Sequence, residues 1–128
     1  MVTAKLKEGL VAEVTARQHH WISGVAEKLG GHDEGADPHE LVEAALAACT
    51  VLTVQLYANR KGWPLESADV TVKIVSEGPQ TQISREISYR GPLEEAQKAR
   101  LTDIASRCPI HKLLESQVTV STTATATR

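Results

Sequence analysis

Asp37-Pro38-His39-Glu40-Leu41-Val42-Glu43-Ala44-Ala45-Leu46-Ala47-Ala48-Cys49-Thr50-Val51-Leu52-Thr53-Val54-Gln55-Leu56-Tyr57-Ala58 is the stretch on which the reading of this chain turns. It opens with a helix start. Asp37 can accept the orphan backbone N–H groups of a first turn. Pro38 stands where a missing N–H costs nothing, and Glu40 completes an Asp-led capping box. Arg60 and Lys61 fall in the last turn and Gly62 stops the helix. No charge occurs from Ala44 to Val54. A helix apolar nearly all round is expected to be buried on most of its faces. Cys49 lies near its middle.

Shorter elements surround this helix. Leu6, Leu10, Val11 and Val14 anchor loosely alternating strands on either side of Gly9, Ala16-Arg17-Gln18 suits a turn, and residues 20–25 suit a third strand. Gly30-Gly31-His32-Asp33-Glu34-Gly35 is loop by its turn residues. After the helix, residues 68–75 and 82–89 alternate cleanly around a Gly78-Pro79 connection. Residues 93–107 read as an amphipathic helix with Leu93, Ala96, Leu101, Ile104 and Ala105 on its apolar side. Pro109 then starts a short helix through Leu114 with Cys108 at its N-cap, and residues 117–126 read as a Thr/Val-rich strand. Strands and helices mix without a regular βαβ rhythm, so the fold class is α+β, in a single domain over residues 1–128.

The chain has 128 residues, no Phe, two Trp and two Tyr. A core of small aliphatics is thin, and a second copy of the chain is expected to complete it. The formal net charge of -2 comes with scattered basic residues, so no nucleic-acid footprint is expected. No charge-free apolar run reaches about 18 residues, and Met1–Leu10 has no apolar signal region. The expectations are therefore no membrane partner and a cytoplasmic location, where two cysteines do not form a permanent staple.

Cysteine chemistry needs a thiolate, and a thiolate needs positive electrostatics. Cys108 has local help from the N–H groups of the helix it caps, with Arg107 and Lys112 adjacent. Cys49 sits in an apolar helix and would need an Arg or His brought from elsewhere. A free Cys in an Ala-rich helix is usually just a small buried hydrophobe. No Cys-x-x-Cys pair is present, so a thioredoxin-like reading has no support. Cys108-Pro109-Ile110-His111 is a Cys-x-x-His pair, with His19, His20, His32 and His39 as further donors, but it lacks a second pair at zinc spacing. His19 and His20 would point to opposite faces of a strand.

In order and spacing, several of these pieces resemble the OsmC/Ohr family, closest to its general OsmC-like branch. They are Gly30-Gly31-His32-Asp33-Glu34-Gly35, Pro38-His39-Glu40-Leu41, Ala47-Ala48-Cys49-Thr50, Tyr57-Ala58-Asn59-Arg60-Lys61-Gly62, the Arg85 strand ending at Gly91, and Cys108-Pro109-Ile110-His111. The resemblance implies antiparallel sheets wrapped around a central buried helix in an intertwined homodimer. It implies a thiol peroxidase for organic hydroperoxides or hydrogen peroxide, in oxidative-stress defence. Cys49 would become a sulfenic acid, Cys108 would resolve it to a disulfide, and an external dithiol of lipoyl type would reduce that bond. It implies no metal and no organic cofactor. Peroxidase members place a Glu directly after the helix-opening Pro, paired with an Arg that activates the first Cys. Here that position is His39, and Glu40, rotated by about 100° around the helix, cannot replace it. Arg17 in the N-terminal turn region is the candidate Arg, with Arg85 a second. The catalytic set so implied is Cys49, Cys108, Arg17 and His39. The alternative is a non-catalytic OsmC-like stress protein that binds a small hydrophobic molecule in its dimer pocket.

Overall fold

The computed structural model describes residues 1–125. Strands β1 (Thr3–Glu8), β2 (Val11–Ala16) and β3 (His19–Ser23) come first, then helix α1 (Pro38–Lys61), strands β4 (Ser67–Ser76) and β5 (Gln82–Arg90), and helices α2 (Glu95–Ala105) and α3 (Pro109–Glu115). Contacts gather into two units. The first holds Met1–Ala45 and Val72–Arg85; the second holds Leu46–Thr71 and the described residues from Glu86 onward.

In the first unit β1, β2 and β3 form an antiparallel meander. Val14 pairs with Ala4 on one side and Trp21 on the other, and Val11 and Val14 are its buried residues on β2. The third strand stops at Ser23, short of the expected Val25, because the backbone beyond it turns to the following loop. Gly24 N–H donates to the Ala36 carbonyl at 3.3 Å, and the Val25 carbonyl accepts from Asp33 N–H at 2.9 Å. The Ser23 hydroxyl also donates to Ala36, at 2.7 Å. Gly31 is buried in this loop, and a Cβ there would overlap the Val25 carbonyl, so only glycine permits the close approach.

α1 begins as its capping residues dictate. Glu40 N–H donates to Asp37 Oδ1 at 2.8 Å, and Asp37 N–H donates back to Glu40 Oε1 at 3.0 Å. Burial along the helix differs from the sequence expectation. Leu46, Thr50, Val54 and Ala58, four residues apart, form one buried stripe. Ala48, Leu52 and Leu56 lie outside it and are exposed, Leu52 at 62%. A helix without charge still buries only the face for which its own chain supplies a neighbour. By length and composition α1 could also cross a membrane, which counting charges did not reveal.

The second unit holds the main core: Val54, Ala58, Leu65, Ala68, Leu101 and Ala105, edged by Tyr57, Trp63, Ile87, Tyr89 and Leu93. Leu101 is fully buried, which contributes about 1.5–3 kcal/mol of transfer free energy. β4 and β5 form a separate two-stranded sheet. α2 starts at Glu95 rather than Leu93, because Leu93 N–H closes a turn onto Gly91 and Gln97 reaches back to cap the Glu94 amide at 2.9 Å. The expected terminal strand is absent from the described residues. Residues 117–125 adopt no regular structure and are exposed, Val120 at 81%. Strand propensity needs a neighbouring strand to take up its N–H and C=O groups, and none of the described strands pairs with this segment; Ala126 lies outside the described residues.

Candidate functional site

Both cysteines are free and both belong to the second unit. Cys108 is the N-cap of α3, as its sequence context requires, with extended backbone at φ -66° and ψ 146° and Pro109 just inside the helix. Its side chain is fully buried. His111 N–H donates to Cys108 Sγ at 3.3 Å, so the sulfur takes one of the orphan donors of the first turn. The His111 ring lies 2.9 Å from Glu115 Oε1. Of the two charges expected to help, Arg107 pairs with Asp103 at 3.8 Å and Lys112 is exposed.

Cys49 is half-buried on α1, beside the buried stripe rather than in it. Its neighbour is Thr53, one turn on, with Oγ1 at 3.8 Å from Sγ. The same flank continues at Tyr57 and Lys61, again four residues apart, and Lys61 Nζ lies 5.6 Å from the Tyr57 ring centroid. Arg100 of α2 donates from Nε to the Tyr57 hydroxyl at 3.1 Å. That hydrogen bond holds the phenol below its ordinary value of 10.0, with smaller help from the charges of Arg100, Lys61 and Arg107 and some opposition from desolvation. Sequence reasoning missed Thr53 and Arg100. The signal for Thr53 was present: Cys49, Thr53, Tyr57 and Lys61 follow one another at four-residue spacing along one flank of the helix.

The other two expected site residues lie in the first unit. Arg17 occupies the β2–β3 turn at a positive φ of 57°, exposed, and reaches Gln18 Oε1 at 3.5 Å. His39 is exposed in the first turn of α1, with Nε2 at 2.8 Å from Glu77 Oε1. It precedes Cys49 by ten residues, about 15 Å of helix, so the two side chains of one copy do not touch. Arg85 is half-buried on β5. Glu43, the remaining charge near the helix start, accepts the Ile74 N–H at 2.8 Å. Among the described residues no three His, Cys, Asp or Glu side chains gather as a metal site. His20 instead meets Thr15 across the strands at 3.1 Å.

Residues 31–123 match the family model described as OsmC-like protein. The chain belongs to the OsmC-like protein family. Its fold is that of solved OsmC-like structures. It is similar to the OsmC-like protein from Mycoplasma pneumoniae, with a TM-score of 0.77 at 22% identity over 90% of this chain and 86% of that one. It is similar to the organic hydroperoxide resistance protein OsmC from Legionella pneumophila, with a TM-score of 0.68 at 20% identity over 90% and 89%. It also resembles the organic hydroperoxide resistance protein from Elizabethkingia anophelis, with a TM-score of 0.65 at 20% identity over 89% and 86%. At such identities the likeness is one of fold. No curated protein matches the chain. This OsmC-like chain thus has the α+β architecture, with antiparallel sheets and a long central helix, that its sequence predicts.

Proposed function

We propose that this OsmC-like protein is a cysteine-dependent peroxidase that reduces organic hydroperoxides or hydrogen peroxide in a reducing, cytoplasmic setting. The observation that carries the reading is the contrast between its two free thiols: Cys49 is half-buried and reachable, whereas Cys108 is fully buried at a helix N-cap. A buried thiol is poorly placed to meet a bulky peroxide first, which supports Cys49 as the attacking thiol and Cys108 as the resolving one. The Cys49 thiolate attacks the distal peroxide oxygen, the O–O bond breaks, and the alkoxide leaves and takes up a proton. Cys49 is then a sulfenic acid. The Cys108 sulfur attacks the Cys49 sulfur, hydroxide leaves as water with the Cys108 proton, and a disulfide forms. An external dithiol, of lipoyl type by family resemblance, supplies two electrons and two protons to restore both thiols. Two of the solved relatives are named for organic hydroperoxide resistance, which agrees with this class.

The working unit in this reading is a homodimer. Ala48, Leu52 and Leu56 leave an apolar stripe of α1 open, and a second copy presents the same stripe in return. His39, ten residues before Cys49 on α1, belongs to the site only if that second copy brings it to Cys49. One observation favours the alternative of a non-catalytic ligand-binding protein: His39, where peroxidase members of the family have Glu, is engaged by Glu77.

Thiol counting separates the two. Reduced wild type treated with cumene hydroperoxide is expected to lose both thiols stoichiometrically and to gain an intramolecular disulfide. Cys49→Ser is expected to keep its Cys108 thiol. Both thiols persisting in wild type under excess peroxide would reject the peroxidase and leave the ligand-binding reading.

A further inference from the structure

We propose that Thr53 is the residue that supports Cys49 in its reactive form, by donating its hydroxyl hydrogen to the Cys49 sulfur once that sulfur has lost its proton. This rests on the reading of Cys49 as the attacking thiol and adds a residue to it. Helical threonines ordinarily turn the hydroxyl back onto the carbonyl four residues earlier. Thr50 does so to Leu46 at 2.7 Å, and Thr102 does so to Lys98 at 3.0 Å. Thr53 instead meets the sulfur of Cys49, at 3.8 Å. While Cys49 is a thiol, either atom can donate. A thiolate has no hydrogen and only accepts, so the Thr53 O–H becomes the donor. Hydrogen bonds to an ionised partner are shorter and about twice as strong as neutral ones, so this contact tightens on ionisation and favours the anion.

Position supports the assignment. Both side chains are half-buried on the flank between the buried stripe and the open face of α1. Water competes less there than at the surface, while the sulfur stays reachable. The residue standing where the family has its Glu, His39, is ten positions away and engaged with Glu77. A donor one turn from Cys49 on the same helix needs no such partner.

The test uses Thr53→Val, which keeps the shape and removes the hydroxyl, and Thr53→Ser, which restores it. Both are made in the full chain carrying Cys108→Ser, so that Cys49 is the one thiol read, and helix content is followed by circular dichroism. The rate of alkylation by iodoacetamide at fixed neutral pH is expected to fall about tenfold in Thr53→Val and to return to within about twofold in Thr53→Ser. An unchanged rate in Thr53→Val would overturn the proposal, as would Thr53→Ser falling as far as Thr53→Val. Alkylation needs no peroxide. If it depends on Thr53 while cumene hydroperoxide leaves Cys49 untouched, the role of Thr53 stands and the peroxidase reading falls.

Discussion

Cys49 and Cys108 carry one functional group in two surroundings, one half-buried on α1 and the other fully buried at the N-cap of α3. Cys108 was legible from its neighbours alone, since Pro109 places it at an N-cap and the His111 amide meets its sulfur at 3.3 Å. For Cys49 the only pointer to chemistry is the family pattern, because an apolar helix gives no local reason for a reactive thiol and Thr53 is noticed only when the 49, 53, 57, 61 flank is drawn. Arg17 and His39 show what a sequence conceals: which residue a side chain meets depends on the fold, and theirs meet Gln18 and Glu77. Further along the flank, the Tyr57 phenol is held low chiefly by the Arg100 hydrogen bond. Its folded value is below the unfolded one, so the phenolate adds stability at alkaline pH, and this is lost as pH falls through the folded value. In Arg100→Gln the Tyr57 titration, followed by phenolate absorbance, is expected to move up toward the ordinary tyrosine value. An unmoved titration would show that Arg100 does not set it.

At the scale of elements, boundaries with a chemical cause were legible. Asp37, Pro38 and Glu40 start α1, and Pro109 starts α3. Where the cause was a tertiary partner, the reading failed. Residues 117–125 have the composition of a strand, but none of the described strands pairs with them. α1 has the composition of a helix buried on most of its faces but leaves Leu52 and Leu56 in the open. Glu43 is a charge that composition cannot explain and the structure does: its carboxylate takes the β4 amide of Ile74 at 2.8 Å. A strand edge with unpaired N–H groups is otherwise open to pairing with another chain. Glu43→Ala removes the acceptor and is expected to cost about 1 kcal/mol, read as a lower urea midpoint, while Glu43→Gln keeps an acceptor and most of the stability. Equal midpoints for Glu43→Ala and wild type would refute the role.

At the scale of the whole molecule, the α+β class and the family were legible because the matching motifs run in order from Gly30 to His111. The gathering of contacts into two units was not, since the divisions fall inside α1, β4 and β5 rather than in linkers. The thin, Phe-free core and the open stripe of α1 both support the homodimer proposed above. Leu52→Glu places a charge on that stripe and is expected to convert a dimeric wild type to monomer in light scattering after gel filtration; a wild type monomeric at every concentration would contradict the dimer. The proposed peroxidase rests on a single atom, the sulfur of Cys49, and the intact mass of reduced Cys108→Ser protein after one equivalent of cumene hydroperoxide tests it. A gain of one oxygen atom is expected, located on Cys49 and captured by dimedone. An unchanged mass, with the Cys49 thiol still free to alkylate, would contradict it.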